Sequence, residues 1–213
     1  SISKKALRYD LTVPFARFVV MSRNELTFPF RRYAMGNVWR GDRPGKGRYQ
    51  EFTQCDADII GTDSLLCELE LIELFNEALT KLQVPGFRIL INDRRVLMGL
   101  AAAWGAGDRV QDLLIALDKL DKVGADGVDA ELVQRGFSEE VRKGVAGLVS
   151  ATEGAVGEFR LSAVAGLLAD EGQDGIADLR WLIQAAAEAG VPEEVLVFDP
   201  TLARGLDYYT GAI

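Results

Sequence analysis

No histidine occurs in the 213 residues, which removes Ser-His and Cys-His nucleophile systems, histidine-ligated metals and a histidine general base. Chemistry must come from Arg, Asp, Glu, Gln, Thr or Tyr. Only two cysteines are present, Cys55 and Cys67, without Cys-x-x-Cys spacing. They are expected to be reduced thiols of a cytoplasmic protein. No apolar run approaches the roughly 18 residues of a membrane span. The stretch from Ser1 to Asp10 has basic residues but no apolar segment of a signal peptide. No repeat period or low-complexity tract is visible, which argues against a solenoid.

What is present suits a globular chain. At 48% hydrophobic and 26% charged residues it can bury a core, and its length allows one elaborated domain or one domain interrupted by another. The net charge of −8 conceals an asymmetry: residues 1–60 hold eleven Lys and Arg against six Asp and Glu, residues 61–213 thirteen against twenty-six. A basic stretch in an acidic chain focuses anions, so a phosphate-bearing ligand fits the front of the chain and general nucleic-acid coating does not. On charge alone, solvated surface arginines remain the alternative. The chain opens on Ser1 inside a patterned segment and ends just after Tyr208-Tyr209-Thr210-Gly211, and is read as part of something longer.

Leu11, Phe15, Phe18 and Val19 recur at helical spacing and predict a helix from Leu11 to Ser22, with Thr12 as its cap and Pro14 in the first turn. Arg31 to Arg40 and Glu51 to Gly61 read as two antiparallel strands, joined by a loop too rich in Gly and Pro to belong to either. Thr62 or Asp63 is expected to cap a helix whose Leu65, Leu66, Leu69, Ile72, Phe75, Leu79 and Leu82 form a packing stripe ended by Pro85-Gly86. A short buried strand at Phe87–Ile91 and a helix over Arg94–Trp104 follow. Residues 105–172 then change texture to Gly- and Ala-rich helices, with Leu113, Leu114, Leu117 and Leu120 on one face and Val141, Val145 and Leu148 on another. A stronger helix over Asp174–Ala189 and a β-rich run at Val195–Phe198 re-enter the sheet. The expected organisation is 1–104 as the first part of a core, 105–172 as a helical insertion and 173–213 as the second part. The fold class is α+β.

Strand alternation puts Phe52, Gln54, Asp56 and Asp58 on one face and Thr53, Cys55, Ala57 and Ile59 on the other. An aromatic, an amide and two carboxylates on one face stand beside an Arg-rich loop; the alternative is a solvated face with an incidental Phe. Arg40 lies at the root of that loop, which adds Arg43, Lys46 and Arg48. Guanidinium groups offer a fixed fork of donors for phosphate oxygens. Gly45-Lys46-Gly47 is not a P-loop, because the residue five before Gly45 is Arg40 and no Ser or Thr follows Lys46.

The string Leu7-Arg8-Tyr9-Asp10-Leu11-Thr12, the hairpin from Arg40 to Asp58, and the run Leu202-Ala203-Arg204-Gly205-Leu206-Asp207-Tyr208-Tyr209-Thr210-Gly211, in this order, resemble the histidyl-tRNA synthetase family of class II aminoacyl-tRNA synthetases. The resemblance implies an antiparallel sheet flanked by helices with an inserted all-α domain. On that sheet histidine and ATP, with Mg²⁺, give histidyl-adenylate and pyrophosphate before transfer to tRNA(His). It implies Arg40 and Arg204 as catalytic arginines on opposite sides of the α-phosphate, Asp42 and Phe52 at the adenine, and Arg43 and Arg48 at the outer phosphates. Asp10, Thr12 and Gln54 would hold the amino and carboxylate end of histidine. Asp58 and Tyr209 would hold its imidazole, with Arg204 and Tyr208 also lining the pocket and no protein metal ligand. Tyr208 and Tyr209 also admit a reading as core aromatics, and Asp10 and Thr12 as helix caps.

The resemblance further implies a homodimer when full length, with no membrane association. The family's motif 1, motif 3 and anticodon-binding domain are missing from these residues, so the piece by itself is expected to fold in part without charging tRNA. Residues 105–172 resemble the insertion that meets the tRNA acceptor arm, though their acidity argues against tight phosphate binding. Two other readings compete. One is the synthetase-like regulatory subunit of ATP phosphoribosyltransferase, disfavoured by the presence together of Arg40, Arg48 and Arg204. The other is a general single-stranded RNA binder using Tyr49 and Phe52, disfavoured by the acidic remainder.

Overall fold

The computed structural model describes residues 5–203 and 210–213. The chain separates into two compact units, residues 1–67 and 68–213.

The first unit is built on a helix, α1 (Thr12–Met21), and two ten-residue strands, β1 (Phe30–Trp39) and β2 (Glu51–Ile60). The strands pair antiparallel in unbroken register from Phe30↔Ile60 to Trp39↔Glu51. The connecting loop is not irregular throughout, since Gly45 and Arg48 exchange both backbone hydrogen bonds around Gly47. Gly47 has a φ of +73°, a left-handed conformation that a side chain would strain. Thr12 does not cap α1. Asp10 does so, its carboxylate accepting from the Val13 N–H at 3.1 Å, because a cap must precede the first turn and Thr12 already lies inside it. Phe15 of α1 stacks on Phe30 of β1 at 6.3 Å, which lays the helix against the strand.

In the second unit α2 (Leu66–Lys81) leads to β3 (Ile89–Ile91). Helix α2 stops at Lys81, short of Pro85-Gly86, where Gln83 turns to a φ of +54°. Its start is marked by Ser64, whose hydroxyl accepts from the Leu66 N–H, rather than by Thr62 or Asp63. Of the expected apolar stripe, Ile72 is buried while Leu66, Phe75 and Leu82 are exposed. Strand β3 is shorter than expected and Leu90 is exposed. It pairs in parallel with β4 (Leu196–Phe198), and a parallel pair requires a long crossover.

That crossover is a ring of helices: α3 (Arg94–Ala103), α4 (Val110–Leu117), α5 (Leu120–Gln134), α6 (Glu139–Thr152), α7 (Gly157–Ala165) and α8 (Gln173–Glu188). Each packs on the next, and α8 returns to α3. Leu97, Leu100, Leu113, Leu114, Leu117, Leu132, Leu148, Leu161, Ile176, Leu179 and Leu182 fill the interior. Leu113, Leu114, Leu117, Leu148, Leu179 and Leu182 among them are residues the helical spacing singles out; Ile176 and those on α3, α5 and α7 it leaves unassigned. Gly99 lets α3 approach closely, since a Cβ there would lie 2.8 Å from the Gly172 Cα.

Ion pairs lace the ring. Arg142 grips Asp129 through two 2.6 Å hydrogen bonds, Lys119 and Arg135 share Glu131, and Arg180 holds Glu158. Hydrogen bonds from these cations hold all three carboxyls below their ordinary range. A depressed folded pKa gives stability that is complete above the ordinary values of 3.8 and 4.5 and is lost as pH falls through the lower folded values. The urea midpoint of helical ellipticity should therefore fall between about pH 5 and about pH 3. A midpoint unchanged across that range would mean the exposed pairs contribute nothing.

Asn92 and Asp93, both fully buried, join β3 to α3. Asn92 exchanges backbone hydrogen bonds with Ile213, its side-chain amide donates to the Leu202 carbonyl at 3.0 Å, and Arg94 N–H donates to Gly211 O. The two described flanks of residues 204–209 are thus fastened to one dipeptide. The Asp93 carboxylate caps α3 through Arg95 N–H and also takes the Arg95 guanidinium at 2.7 and 2.9 Å.

Candidate active site

The alternation along β2 is visible in its burial. Phe52, Gln54, Asp56 and Asp58 are partly covered, whereas Thr53 and Cys55 are exposed. Opposite them on β1 stand Val38, Gly36, Ala34 and Arg32 in turn. The small pair Ala34 and Gly36 leaves room above Gln54 and Asp56, and the Arg8 guanidinium lies over Gly36. The other face carries Tyr33, Met35 and Cys55, all exposed.

The segment before α1 is stitched along β1. Trp39 N–H donates to Arg8 O at 2.9 Å, Arg8 Nε donates to Asn37 O at 2.7 Å, and Arg32 donates to Leu11 O at 3.2 Å. This brings Tyr9 and Asp10 beside the hairpin root. There the Arg40 guanidinium sits over the Tyr9 ring at 4.6 Å and the Phe52 ring at 5.1 Å, with its Nε donating to Tyr9 O at 3.4 Å. Two rings and a carbonyl hold this cation at the start of the loop.

Arg43 and Arg48 are exposed on the loop. Arg48 approaches Asp42 only at 3.8 Å, with both side chains in solvent, a contact weak enough to yield to a polyanion. Gln50 donates to the Asp42 carbonyl and ties the loop base together. Thr12 is exposed and Asp10 half-buried. Arg204, Tyr208 and Tyr209 lie outside the described residues.

At the far end of the polar face Arg32 meets Asp58 at 2.6 Å, the side chains being 13% and 25% exposed. The contact is one of charge rather than of aligned hydrogen bonds, because Asp58 Oδ2, Arg32 Nε and Gln54 Oε1 are buried with no hydrogen-bond partner among the described residues. Burial pushes the Asp58 carboxyl up; Arg32 opposes this and Asp56 adds to it. Three orphaned polar atoms on one strand pair are costly unless something else satisfies them.

Two residues of this face, Arg8 and Arg32, are not singled out by the sequence pattern. Arg32 is placed by the register, and the expected strand bounds, one residue off at three ends, would set it opposite Ile59 or Ile60 rather than Asp58. Arg8 carried no signal, since its place depends on the 8–11 segment lying along β1.

The sequence profile of the family described as histidyl-tRNA synthetase matches residues 3–213. The chain belongs to the histidyl-tRNA synthetase family. A histidine–tRNA ligase of Flavobacterium johnsoniae is 47% identical over 216 residues, spanning 100% of this chain and 45% of that protein. One of Christiangramia forsetii is 46% identical, over 100% of this chain and 47% of that protein. The chain thus spans about half the length of the synthetases it matches.

Among solved structures, the crystal structure of histidyl-tRNA synthetase from Nostoc sp. PCC 7120 superposes with a TM-score of 0.86 at 31% identity, covering 97% of this chain and 48% of that one. A Bacillus halodurans protein described as an ATP phosphoribosyltransferase regulatory subunit/histidyl-tRNA synthetase gives 0.80 at 25% identity, over 96% and 52%. The fold is therefore the class II synthetase-like one, with antiparallel and parallel strands flanked by helices. Among the described residues no helix is long and apolar enough to cross a membrane.

Proposed function

We propose that the hairpin unit is the nucleotide- and histidine-binding part of an active site. In the whole protein it joins histidine to ATP as histidyl-adenylate, releases pyrophosphate and passes the histidyl group to tRNA(His). The observation that carries this reading is a single polar strand face with the Arg40 cation held at the loop root, Gln54 Oε1 buried without a hydrogen-bond partner among the described residues, and the half-covered Asp58 carboxylate at the far end.

The nucleophile, the histidine carboxylate, is an anion at neutral pH. One of its oxygens attacks the α-phosphorus as the bond to the bridging oxygen breaks, and the electron pair leaves with pyrophosphate. No protein base is needed, which suits a chain without histidine. Catalysis reduces to alignment and neutralisation. Arg40 serves the α-phosphate with Arg204 from the opposite side, Arg43 and Arg48 serve the outer phosphates, and Asp42 and Phe52 serve the adenine. Asp10, Thr12 and Gln54 take the amino and carboxylate end of histidine. Asp58 accepts from the imidazole, and Tyr208 and Tyr209 complete the pocket.

ATP enters as its Mg²⁺ complex. Among the described residues no group of three or more Cys, Asp or Glu is placed to hold a metal ion, so no protein cage fits Mg²⁺ here and no step is assigned to it. Residues 105–172 form the helical insertion between core parts 1–104 and 173–213, and the whole protein is a cytoplasmic homodimer.

Calorimetric titration of the whole protein with histidine and with a nonhydrolysable histidyl-adenylate analogue tests the reading. Asp58→Ala should weaken both by about tenfold or more, and histidine-dependent ATP–pyrophosphate exchange should be present. Unchanged affinity in Asp58→Ala would remove Asp58 from the pocket. Histidine binding without exchange would favour a regulatory subunit of the kind that the Bacillus halodurans protein is described as.

A further inference from the structure

Arg32 is held from several sides. It stands directly opposite Asp58 in the strand register, one of its terminal nitrogens lies 2.6 Å from Asp58 Oδ2 and donates to Leu11 O at 3.2 Å, and its guanidinium plane rests 4.1 Å from the Phe15 ring centroid. Leu11 lies between Asp10 and Thr12. A single side chain therefore ties the start of α1 to Asp58. One terminal nitrogen reaches both acceptors while the planar guanidinium lies against the Phe15 ring, a placement an ammonium on a flexible stem holds less well.

We propose that Arg32 is a positioning residue for histidine recognition. By engaging one oxygen of Asp58 it fixes the carboxylate's orientation and leaves Oδ1 to accept the imidazole N–H, and by holding Leu11 it sets the distance from that acceptor to Asp10 and Thr12. The inference rests on the reading of Asp58 as the imidazole partner and deepens it. Burial, and to a lesser degree Asp56, favour the neutral carboxyl, and Arg32 opposes them in favour of the charged form that accepts a ring N–H. The cost of this arrangement is visible in the same residues, since Arg32 Nε and Asp58 Oδ2 lack aligned hydrogen bonds. Fold stability alone would be served as well by an apolar pair of similar volume at these two positions.

The test is the split of kinetic constants in ATP–pyrophosphate exchange by the whole enzyme, for Arg32→Met, Arg32→Lys and Asp58→Ala. Arg32→Met is expected to raise the KM for histidine by about tenfold or more while the KM for ATP stays within about twofold. Arg32→Lys keeps the charge without the fork and should recover only part of the loss. Inhibition by thiazolylalanine, which keeps the amino and carboxylate end but has no ring N–H to offer, should weaken less in Arg32→Met than histidine binding does.

A parent-like histidine KM in both Arg32 variants, or equal losses for histidine and ATP, would overturn the inference. If Arg32→Met does not fold, Arg32→Lys decides alone: a histidine KM raised several-fold with ATP unaffected supports the proposal, and a parent-like value ends it. Asp58→Ala separates the two levels. A raised histidine KM there with parent-like Arg32 variants defeats only the role of Arg32, whereas a parent-like KM in Asp58→Ala defeats the pocket itself.

Discussion

Alanine in place of Arg40 is expected to slow histidine-dependent ATP–pyrophosphate exchange by the whole enzyme by about 10²- to 10³-fold, the loss typical of one preorganised donor to a developing anion. The Arg40 guanidinium is held against the Tyr9 carbonyl and between the rings of Tyr9 and Phe52, whereas Arg43 and Arg48 stand on an exposed loop. Replacing either loop arginine should act mainly on the KM for ATP. The loss at Arg40 should fall on kcat, because negative charge grows at the α-phosphate only as the reaction proceeds. Arg40→Lys should recover only part of the rate, having no planar fork to stack between rings and reach a phosphate. A folded Arg40→Ala enzyme that exchanges pyrophosphate at the parent rate would detach Arg40 from the chemistry.

The second large effect concerns the frame rather than the site. Asp93→Ala is expected to destabilise the 68–213 unit by about 3 kcal/mol, within the range for breaking a buried charge pair. Asp93 is fully buried, caps α3, and takes two guanidinium hydrogen bonds from Arg95. Arg95 also reaches Asp178 on α8, and the Asp93 bonds, opposed by burial and helped by Asp178, raise its already high pKa.

Removing Asp93 therefore loosens the cap, the Arg95 bridge from α3 to α8, and the neighbouring Asn92 that fastens Leu202 and Ile213. Asp93→Asn keeps an acceptor at the cap and should cost less. Urea unfolding followed by helical ellipticity checks both variants. An Asp93→Ala midpoint equal to the parent's would show that the cluster is energetically idle.

How much of this was legible in the sequence varies by element. The hairpin was, because two alternating runs around a Gly- and Pro-rich loop leave one antiparallel solution; its register, one or two residues from what the expected strand bounds would give, was not. The apolar faces of α4, α6 and α8 were legible, since 3.6-residue periodicity selects the side that must leave water. Helix ends were less so: Asp10, one of the expected caps, does accept from an N–H of the first turn, but Thr12, Thr62 and Asp63 fit by type alone, and Ser64 is the side chain that reaches α2. The stripe on α2 shows the same limit. Periodicity names a face but not what covers it, and of the seven stripe residues only Ile72 is buried.

The polar row Gln54, Asp56, Asp58 and the arginines of the loop could be read from alternation and charge alone, because both depend only on neighbours along the chain. The roles of Arg8, Tyr9, Arg32, Asn92 and Asp93 could not. Each depends on a partner distant in sequence: residues 8–11 lying along β1, Asp58 across the register from Arg32, and Leu202 and Ile213 meeting Asn92. Local preference decides which residues form a strand or helix and which way they face. Only the closing of the chain on itself decides which buried polar atoms find partners and which do not.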